Sequence, residues 1–317
     1  NAAVWALKDG DLIEAKEVVL RIQAPYQSIA RFETAYLGMM AHGTGWATAA
    51  RAIVDAAAPT PVIAFGARHV HPNIADRLDY AAIIGGATSA STTAGSSRAG
   101  KIPVILGGDH SIASADVAGI AKHRGLGKIS MIHFDAHADT GEDQFGALIG
   151  HGTPMRRLIE SGQVRGDRFL QLGLRGYWPD DKTLNWMRDQ GMRSYEMTEI
   201  HHRGLNKVLD ESFATLTDGC DGVFLSVDID VVDPGMAPGT GTPEPGGMTS
   251  RELLEAVRRI CLELPVVGID VVEVAPPFDS ADITAILANR VVLEALSAIA
   301  KRRSGTPYSP TQNLLDR

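Results

Sequence analysis

The stretch Ile132–Asp139, IHFDAHAD, places three metal-ligand side chains at every second position after an apolar run. In an extended strand, residues i, i+2 and i+4 point to one face, so Asp135, His137 and Asp139 are expected to converge. Two carboxylates and an imidazole in so short a span are costly unless a cation neutralises them. The pattern therefore predicts a metal site at the end of this strand.

Two further segments carry a similar signal. Asp228 and Asp230 follow an apolar run at a spacing of two, and GGDHS, residues 107–111, follows another apolar run and contains His110. The four carboxylates among these residues balance two divalent ions when both histidines are neutral. Oxygen and nitrogen ligands without a thiolate favour manganese over a structural zinc, and zinc, iron and nickel stay open. An acidic, solvated loop is the alternative, but the same alternation after two separate apolar runs argues against it.

The composition bounds the class of protein. The chain has 317 residues, 44% hydrophobic and 21% charged, which is ordinary for a globular α/β protein. Its net charge of −8 and the lack of a basic patch argue against a nucleic-acid partner. The two cysteines imply no disulfide framework. We see no run of 18 apolar residues and no signal-peptide pattern in residues 1–17, so we expect a cytoplasmic protein with no membrane partner.

From Lys101 onward, strands alternate with helices, which predicts a mostly parallel sheet covered on both faces. The predicted strands are Pro103–Leu106, Ile129–Phe134, Phe169–Leu174, Val223–Val227 and Val266–Val274, and the predicted helices are Ser114–His123, Pro154–Ser161, Lys182–Gln190, Leu205–Thr215, Ser250–Leu264 and Ala281–Arg302. Ligands bind at the carboxyl ends of the strands in such sheets. His110, Asp135, Asp228 and Glu273 all stand at the carboxyl ends of predicted strands, so we expect them to share one site.

Residues 1–100 have a different pattern. We predict a strand or hairpin over Asp11–Gln23, one or two helices over Tyr26–Ala58, a strand over Pro61–Phe65 and a helix over Asn73–Ile84. The segment Ser89–Gly100 is rich in Ser, Thr, Ala and Gly, which is typical of a loop or linker.

From about Lys101 to Arg303 the chain resembles the ureohydrolase family of arginases, agmatinases and guanidino-acid hydrolases. The resemblance rests on four motifs in the family's order: GGDHS (107–111), FDAHAD (134–139), SVDIDVVDP (226–234) and VEVAPPFD (272–279). It implies a three-layer α/β/α sandwich with a mostly parallel sheet, two Mn²⁺ ions and release of urea from a guanidine. The segment GTGTPEPGG (239–247) is more similar to agmatinases and guanidino-acid hydrolases than to arginases.

The resemblance also implies the roles of individual residues. The family's metal ligands fall on His110, Asp135, His137, Asp139, Asp228 and Asp230. Asp139 would also pass a proton to the leaving amine, Glu273 would pair with the guanidinium, and His151 would handle a proton. A carboxylate is a good bidentate partner for a planar guanidinium, although Glu273 could also be a surface acid. A lone loop histidine such as His151 is otherwise structural or exposed. We interpret His133 either as a histidine that supports the ligands from behind or as a core histidine whose hydrogen bonds are satisfied.

Residues 1–95 resemble part of a bacterial nicotinate phosphoribosyltransferase instead. The stretches that carry this resemblance are 9–51 and 65–86, and the later phosphoribosyl-binding part of that family is missing. The chain therefore looks like a chimera, with a phosphoribosyltransferase-like segment and linker over residues 1–100 and a ureohydrolase-like domain over 101–317. The first strands and the substrate loop that ureohydrolases carry ahead of GGDHS are missing or replaced.

We accordingly predict a binuclear manganese hydrolase that converts agmatine or a guanidino acid to urea and an amine. A small guanidine is the expected partner, and family members are commonly trimers or hexamers, so we expect a homo-oligomer. Two alternatives stay open: a nicotinate phosphoribosyltransferase-like fragment, and a chimera without catalytic activity.

Overall fold

The computed structural model describes residues 2–311, and the chain divides into two compact units between Lys101 and Ile102. In the first unit, strand β1 (Ala3–Ala6) pairs antiparallel with β2 (Leu20–Gln23). Only the last four residues of the predicted strand or hairpin Asp11–Gln23 therefore form a strand, and their partner lies upstream of it. The helices of this unit are Tyr26–Ile29, Glu33–Ala57, Pro72–Ile84 and Thr93–Arg98, with 3-10 turns at Ala30–Phe32 and Ala67–His69.

Two predictions for the first unit are wrong. Pro61–Phe65 is not a strand, because only Ile63 forms a bridge, to Ser89, and its side chain is 64% exposed. Ser89–Gly100 is not a loop throughout, because Thr92 starts the helix Thr93–Arg98 by accepting a hydrogen bond from the amide of Gly95 at 3.1 Å. Small polar residues suit a helix N-cap as well as a linker, so composition alone did not distinguish the two.

The second unit is built on a six-stranded, all-parallel sheet with the order β3-β8-β7-β4-β5-β6. Its strands are β3 (Val104–Leu106), β4 (Ile129–Phe134), β5 (Val164–Leu174), β6 (Arg193–Glu196), β7 (Gly222–Asp228) and β8 (Val266–Val272). Its helices are Ile112–Arg124, Pro154–Glu160, Asp181–Asp189, Met197–Arg203, Leu205–Thr217, Ser250–Glu263 and Ile283–Ser304. Every residue of β4, β7 and β8 is buried, as expected for central strands covered by helices on both faces. The predicted α/β fold is confirmed.

The strand order brings the predicted motifs together. Strands β3, β8, β7 and β4 are consecutive neighbours in the sheet and all run in the same direction. The residues that follow them are Gly107, Glu273, Ile229 and Asp135, so their loops meet at one edge. The site thus lies at the carboxyl edge of the sheet, as the strand pattern predicts.

Some boundaries differ from the sequence prediction. β8 ends at Val272 instead of Val274, because Glu273 adopts a left-handed backbone with φ of 62° and turns the chain out of the sheet. Strand β6 and the helix Met197–Arg203 were not predicted. β6 lies at the sheet edge and buries only Tyr195 among its four residues, so it lacks the apolar run of the central strands.

The last helix, Ile283–Ser304, is long and apolar enough to cross a membrane by length and composition. Leu287 and Val291 on this helix belong to the hydrophobic core. Its Glu294 also forms ion pairs of 2.9 Å with Arg258 and 3.0 Å with Arg290. The packing and the ion pairs are those of a core helix of the α/β unit.

Candidate metal centre and substrate cavity

The ring of His110 is completely buried and faces three carboxylates. Its Nδ1 lies 3.2 Å from Oδ2 of Asp135, 3.1 Å from Oδ2 of Asp139 and 3.2 Å from Oδ2 of Asp228. The other ring nitrogen, Nε2, lies 2.8 Å from the hydroxyl of Ser226, which fixes the orientation of the ring. His110 is thus held with one nitrogen directed at three acids that come from two different strand ends.

A second group of ligand-type atoms lies beside the first. Nδ1 of His137 is 3.0 Å from Oδ2 of Asp230 and 3.4 Å from Oδ1 of Asp135. Ligand-type atoms of His110, His133, Asp135 and Asp139 lie within 4.8 Å of one another, and so do those of Asp135, His137 and Asp230, so Asp135 belongs to both groups. A shared carboxylate between two adjacent groups is the arrangement expected for a pair of neighbouring cations.

Backbone groups hold the acids in place. The amide of Ala136 donates to Oδ1 of Asp230 at 3.0 Å, and the hydroxyl of Thr242 donates to its Oδ2 at 3.1 Å. The amide of His137 donates to Oδ1 of Asp135 at 2.6 Å. The loop after β4 thus contributes ligand-type side chains and also positions Asp230, which lies just after β7.

The electrostatics of the cluster show carboxylates forced together. Burial and the charge of Asp135 raise the pKa of Asp139 to about 7. Burial and the charge of Asp230 raise the pKa of Asp228 well above its usual range. Burial would raise the pKa of Asp135 too, but its contacts with His133 and His110 hold it well below its usual range. A bound cation would favour the ionised form of all these acids at once.

For His110 and His137, burial acts in the opposite direction and would lower the pKa. Burial alone would lower the pKa of His137, but hydrogen bonds to Asp135 and Asp230 raise it to about 11. Burial of His110 is likewise outweighed by its contacts with the acids, which raise its pKa. Nδ1 of His110 is buried yet makes no well-directed hydrogen bond to a described residue. The donor set thus has the composition of a cation site and a buried nitrogen without a hydrogen-bond partner among the described residues, and the residues fit a metal.

His133 lies behind the cluster. Its Nε2 is 2.8 Å from Oδ2 of Asp135, and its Nδ1 is 3.1 Å from the side-chain amide of Gln171. Gln171 also donates to the carbonyl of Ala138 at 2.7 Å. His133 therefore lies where the sequence interpretation put it, supporting a ligand-type residue through one ring nitrogen. Gln171, which the sequence analysis missed, links it to the next strand.

Glu273 lies at the rim of the same site. Its Oε1 accepts a hydrogen bond from the amide of His110 at 2.7 Å, and its own amide donates to the carbonyl of Gly108 at 2.9 Å. Burial raises the pKa of its carboxyl. The residue is part of the wall of the site and not a freely exposed surface acid.

A cavity of about 690 Å³ opens above the cluster. Asp139 and Asp228 line it together with His137, and Glu273 and His151 line it as well. Other lining residues come from the loops 140–145, 178–180 and 242–244 and from the first turn of the helix Asp181–Asp189. All the predicted site residues except the deeper His110, Asp135 and Asp230 thus face one cavity, and these three lie within the clusters beneath it.

Arg175 is a further residue that the sequence analysis missed. Its guanidinium donates to the carbonyl of Asp230 at 2.7 Å, to that of Glu244 at 2.6 Å and to that of Val231 at 3.2 Å. It therefore ties the end of β5 to two loops of the site. An arginine directly after a buried strand, in the glycine-flanked segment Gly173–Gly176, is the signal that could have identified it.

Comparison with known proteins places this site in a family. The family model described as "Arginase family" matches residues 40–298. The chain belongs to the arginase family. The match starts upstream of residue 101, where the sequence resemblance begins, and it confirms the predicted ureohydrolase relationship. A second model, "Quinolinate phosphoribosyl transferase, N-terminal domain", matches residues 1–44 and supports the proposed foreign front segment.

Curated members of the arginase family match the same part of the chain. The guanidinobutyrase of Pseudomonas aeruginosa is 41% identical over 202 residues, which are 63% of this chain and 61% of that protein. The mitochondrial agmatinase of Gallus gallus is 39% identical over 202 residues, 63% of this chain and 57% of that protein. The chain therefore spans about three fifths of the length of these relatives.

A solved structure of the arginase family supports the fold. The proclavaminate amidino hydrolase from Streptomyces clavuligerus aligns with a TM-score of 0.61 and 35% identity, over 73% of this chain and 71% of that one. The arginase-like architecture predicted from the sequence is thereby confirmed.

Proposed function

We propose that this chain is a two-manganese hydrolase that releases urea from a linear guanidine and leaves an amine. The observation that carries the proposal is Asp135, whose two carboxylate oxygens face His110 and His137 in two adjacent clusters beneath the cavity. Related proteins named guanidinobutyrase and agmatinase support the class of substrate.

Six residues would hold the metals. His110 and Asp139 belong to the first group, His137 and Asp230 to the second, and Asp135 to both. Asp228 joins the first group through its Oδ2, which lies 3.2 Å from Nδ1 of His110. Their atoms are oxygen and nitrogen only, which suits manganese, with zinc, iron and nickel as the other metals such ligands accept. Four ionised carboxylates and two neutral imidazoles match the charge of two divalent ions.

Two bound metal ions would supply a water molecule that is acidic enough to act as a nucleophile at neutral pH. The protein's own groups do the rest. The buried carboxylate of Asp139 would take a proton from the attacking water and return it to the leaving amine nitrogen. This transfer accounts for the products, because one water and one guanidine yield one urea and one amine.

Glu273 would orient the substrate. Its carboxylate is fixed by the amide of His110, so a guanidinium paired with it would lie directly over the candidate metal ligands. A planar guanidinium forms two parallel hydrogen bonds with a carboxylate, which sets the plane of the reacting carbon. His151, on the cavity wall, would exchange a proton with the departing product.

The charges of the cavity favour a substrate with a cationic tail. The lining cations are already paired, Arg156 with Glu160 at 2.8 Å and Lys182 with Glu142. The acids Asp143 and Glu244 also line the cavity. Agmatine therefore suits the cavity better than a guanidino acid, and both remain within the proposed class.

The proposal also covers the oligomeric state and the cellular location. We propose a homo-oligomer, as is common in the family, and a cytoplasmic location. Both cysteines are free, with Cys261 buried, which agrees with a reducing compartment.

One alternative has an observation of its own. The chain spans only about three fifths of its relatives, and residues 1–44 match a different family. A chimera that binds metal without turning over substrate would account for both facts. A substrate panel separates the two: urea release from agmatine, guanidinobutyrate, guanidinopropionate or arginine supports the enzyme. No release from any of them, by folded and manganese-loaded protein, supports the chimera.

A further inference from the structure

The side chain of Gln144 makes two hydrogen bonds at the cavity wall. Its Oε1 accepts from the amide of Gly152 at 3.1 Å, and its Nε2 lies 2.6 Å from Nε2 of His151. Gln144 and His151 both line the cavity, and both are partly buried. Gln144 thus contacts the histidine for which the proposed reaction needs a defined proton.

The two bonds together fix where that proton lies. A backbone amide can only donate, so the atom of Gln144 that faces Gly152 is the oxygen. The nitrogen of the same side chain must then face His151, and it donates to the ring's Nε2. A neutral imidazole that accepts at Nε2 carries its hydrogen on Nδ1.

The local chain is built to hold Gln144 in this position. Its amide and carbonyl both bond to Ala147, which closes a tight turn whose central residues, Phe145 and Gly146, have φ of 53° and 81°. A Cβ on Gly150 would lie 2.2 Å from Oε1 of Gln144, so only glycine leaves room for the side-chain amide. A non-glycine residue at positive φ is uncommon, and here it sits next to the contact with the histidine.

We propose that Gln144 is a positioning residue, which holds the ring of His151 at the cavity wall and keeps its proton on Nδ1. The inference rests on the proposed function, because it assigns a part in that reaction to a residue that does not itself touch the reacting atoms. His151 lines the same cavity as Glu273. Gln144 thereby sets the direction of a donor beside the proposed guanidinium partner.

Measuring kcat and KM of the Gln144→Leu variant tests whether Gln144 contributes to turnover. The substitution keeps most of the volume and removes both hydrogen bonds, so we expect kcat to fall at least about tenfold with KM within about twofold. Manganese affinity and the melting temperature are expected to stay close to those of the unmodified chain. Gln190→Leu, the same change at the end of the helix Asp181–Asp189 and outside the cavity lining, is the control and should leave all four quantities unchanged.

Gln144→Glu tests the same contact through pH. Its carboxylate can no longer donate to Nε2 of His151 and instead accepts a hydrogen from it, which favours the protonated ring. The limb of the pH–rate profile that reports this ring should move to higher pH. A residue that only supported the loop would leave the profile unmoved.

Nitrogen-15 NMR tests the proton position without relying on activity. In protein prepared without paramagnetic ions, the ring nitrogens of His151, assigned by their loss in His151→Asn, should show hydrogen on Nδ1. Gln144→Leu and Gly150→Ala should both yield a mixture of the two neutral forms.

Two results would overturn the inference. One is hydrogen on Nε2 of His151 in the unmodified chain, and the other is a Gln144→Leu variant with unchanged kcat. If the unmodified chain releases no urea, the proposed function fails, and the NMR measurement still decides whether Gln144 orients the ring.

Discussion

The amide of His110 donates a 2.7 Å hydrogen bond to Oε1 of Glu273, and the amide of Glu273 returns one of 2.9 Å to the carbonyl of Gly108. This reciprocal pair joins the loop after β3 to the end of β8, two neighbouring strands of the sheet. One end of the pair is a candidate metal ligand, and the other is the candidate partner of the guanidinium. Two backbone amides therefore set the distance between His110 and Glu273, which leaves the carboxylate of Glu273 little freedom to move.

Glu273→Gln tests whether the charge of Glu273 binds the substrate, with little effect on the fold. Glutamine keeps the oxygen that accepts from His110 but loses the charge that pairs with a guanidinium, so we expect kcat/KM to fall about 100-fold or more, roughly 3 kcal/mol. The metal content and the melting temperature should be unchanged. Glu263→Gln, at the exposed end of the helix Ser250–Glu263, is the matched control. A variant with full activity would show that Glu273 does not hold the substrate.

His137→Asn and Asp135→Asn should remove different numbers of metal ions. His137 belongs to one cluster only, whereas Asp135 belongs to both. After dialysis, metal analysis should find about one manganese per chain in His137→Asn and close to none in Asp135→Asn, compared with about two in the unmodified chain. Equal metal content in the two variants would contradict a shared carboxylate.

Arg175→Met should destabilise the site loops. The guanidinium donates to carbonyls on both site loops and on β5. Leaving these buried carbonyls without donors is expected to cost about 3 kcal/mol in the free energy of unfolding, with a loss of manganese affinity because one carbonyl is that of Asp230. Arg188→Met, on the surface of the helix Asp181–Asp189, is the control. Denaturant unfolding with no difference between the two variants would show that Arg175 does not clamp these loops.

Asp116→Asn should stabilise the protein at neutral pH. Burial and the charge of Asp270 raise the pKa of Asp116 from 3.8 to about 7. The folded chain therefore holds a proton there that the unfolded chain releases, so this group lowers stability progressively as pH rises from about 4 to 7, and the loss is complete above that range. The full shift corresponds to about 4 kcal/mol, and because Asp116 is only partly buried we expect the gain from Asp116→Asn to grow over the same window to about half of that, roughly 2 kcal/mol. Melting curves of both proteins from pH 4 to 8 check this, and a gain independent of pH would contradict it.

The sequence predicted the parts of the fold that have a strong local pattern. Ile129–Phe134 was predicted with the bounds that the structure shows, because its sequence is a mainly apolar run. The run reflects its place in the fold, where all six residues are buried between two neighbouring strands. β6 was missed because an edge strand with charged ends, Arg193 and Glu196, has little apolar signal. Pro61–Phe65 was mistaken for a strand because an apolar run has strand propensity even where the chain pairs at only one residue.

The candidate ligands were predictable for a related reason. Asp135 and Asp228 each stand at the end of a buried strand, and a parallel sheet brings such ends together. Gln144 and Arg175 carry no comparable pattern, because their importance depends on which nitrogen or carbonyl faces them in the folded chain. Those partners come from other loops, and single-sequence periodicity does not contain that information.

The most direct test of the account is urea release by the purified chain with and without added manganese, next to an Asp139→Asn variant. The account predicts release that depends on manganese and is lost at least about 100-fold in the variant, because a buried carboxylate that carries a proton is replaced by an amide. Folded, manganese-loaded protein that releases no urea from any linear guanidine would contradict it. Equal release by the unmodified chain and Asp139→Asn would contradict it as well.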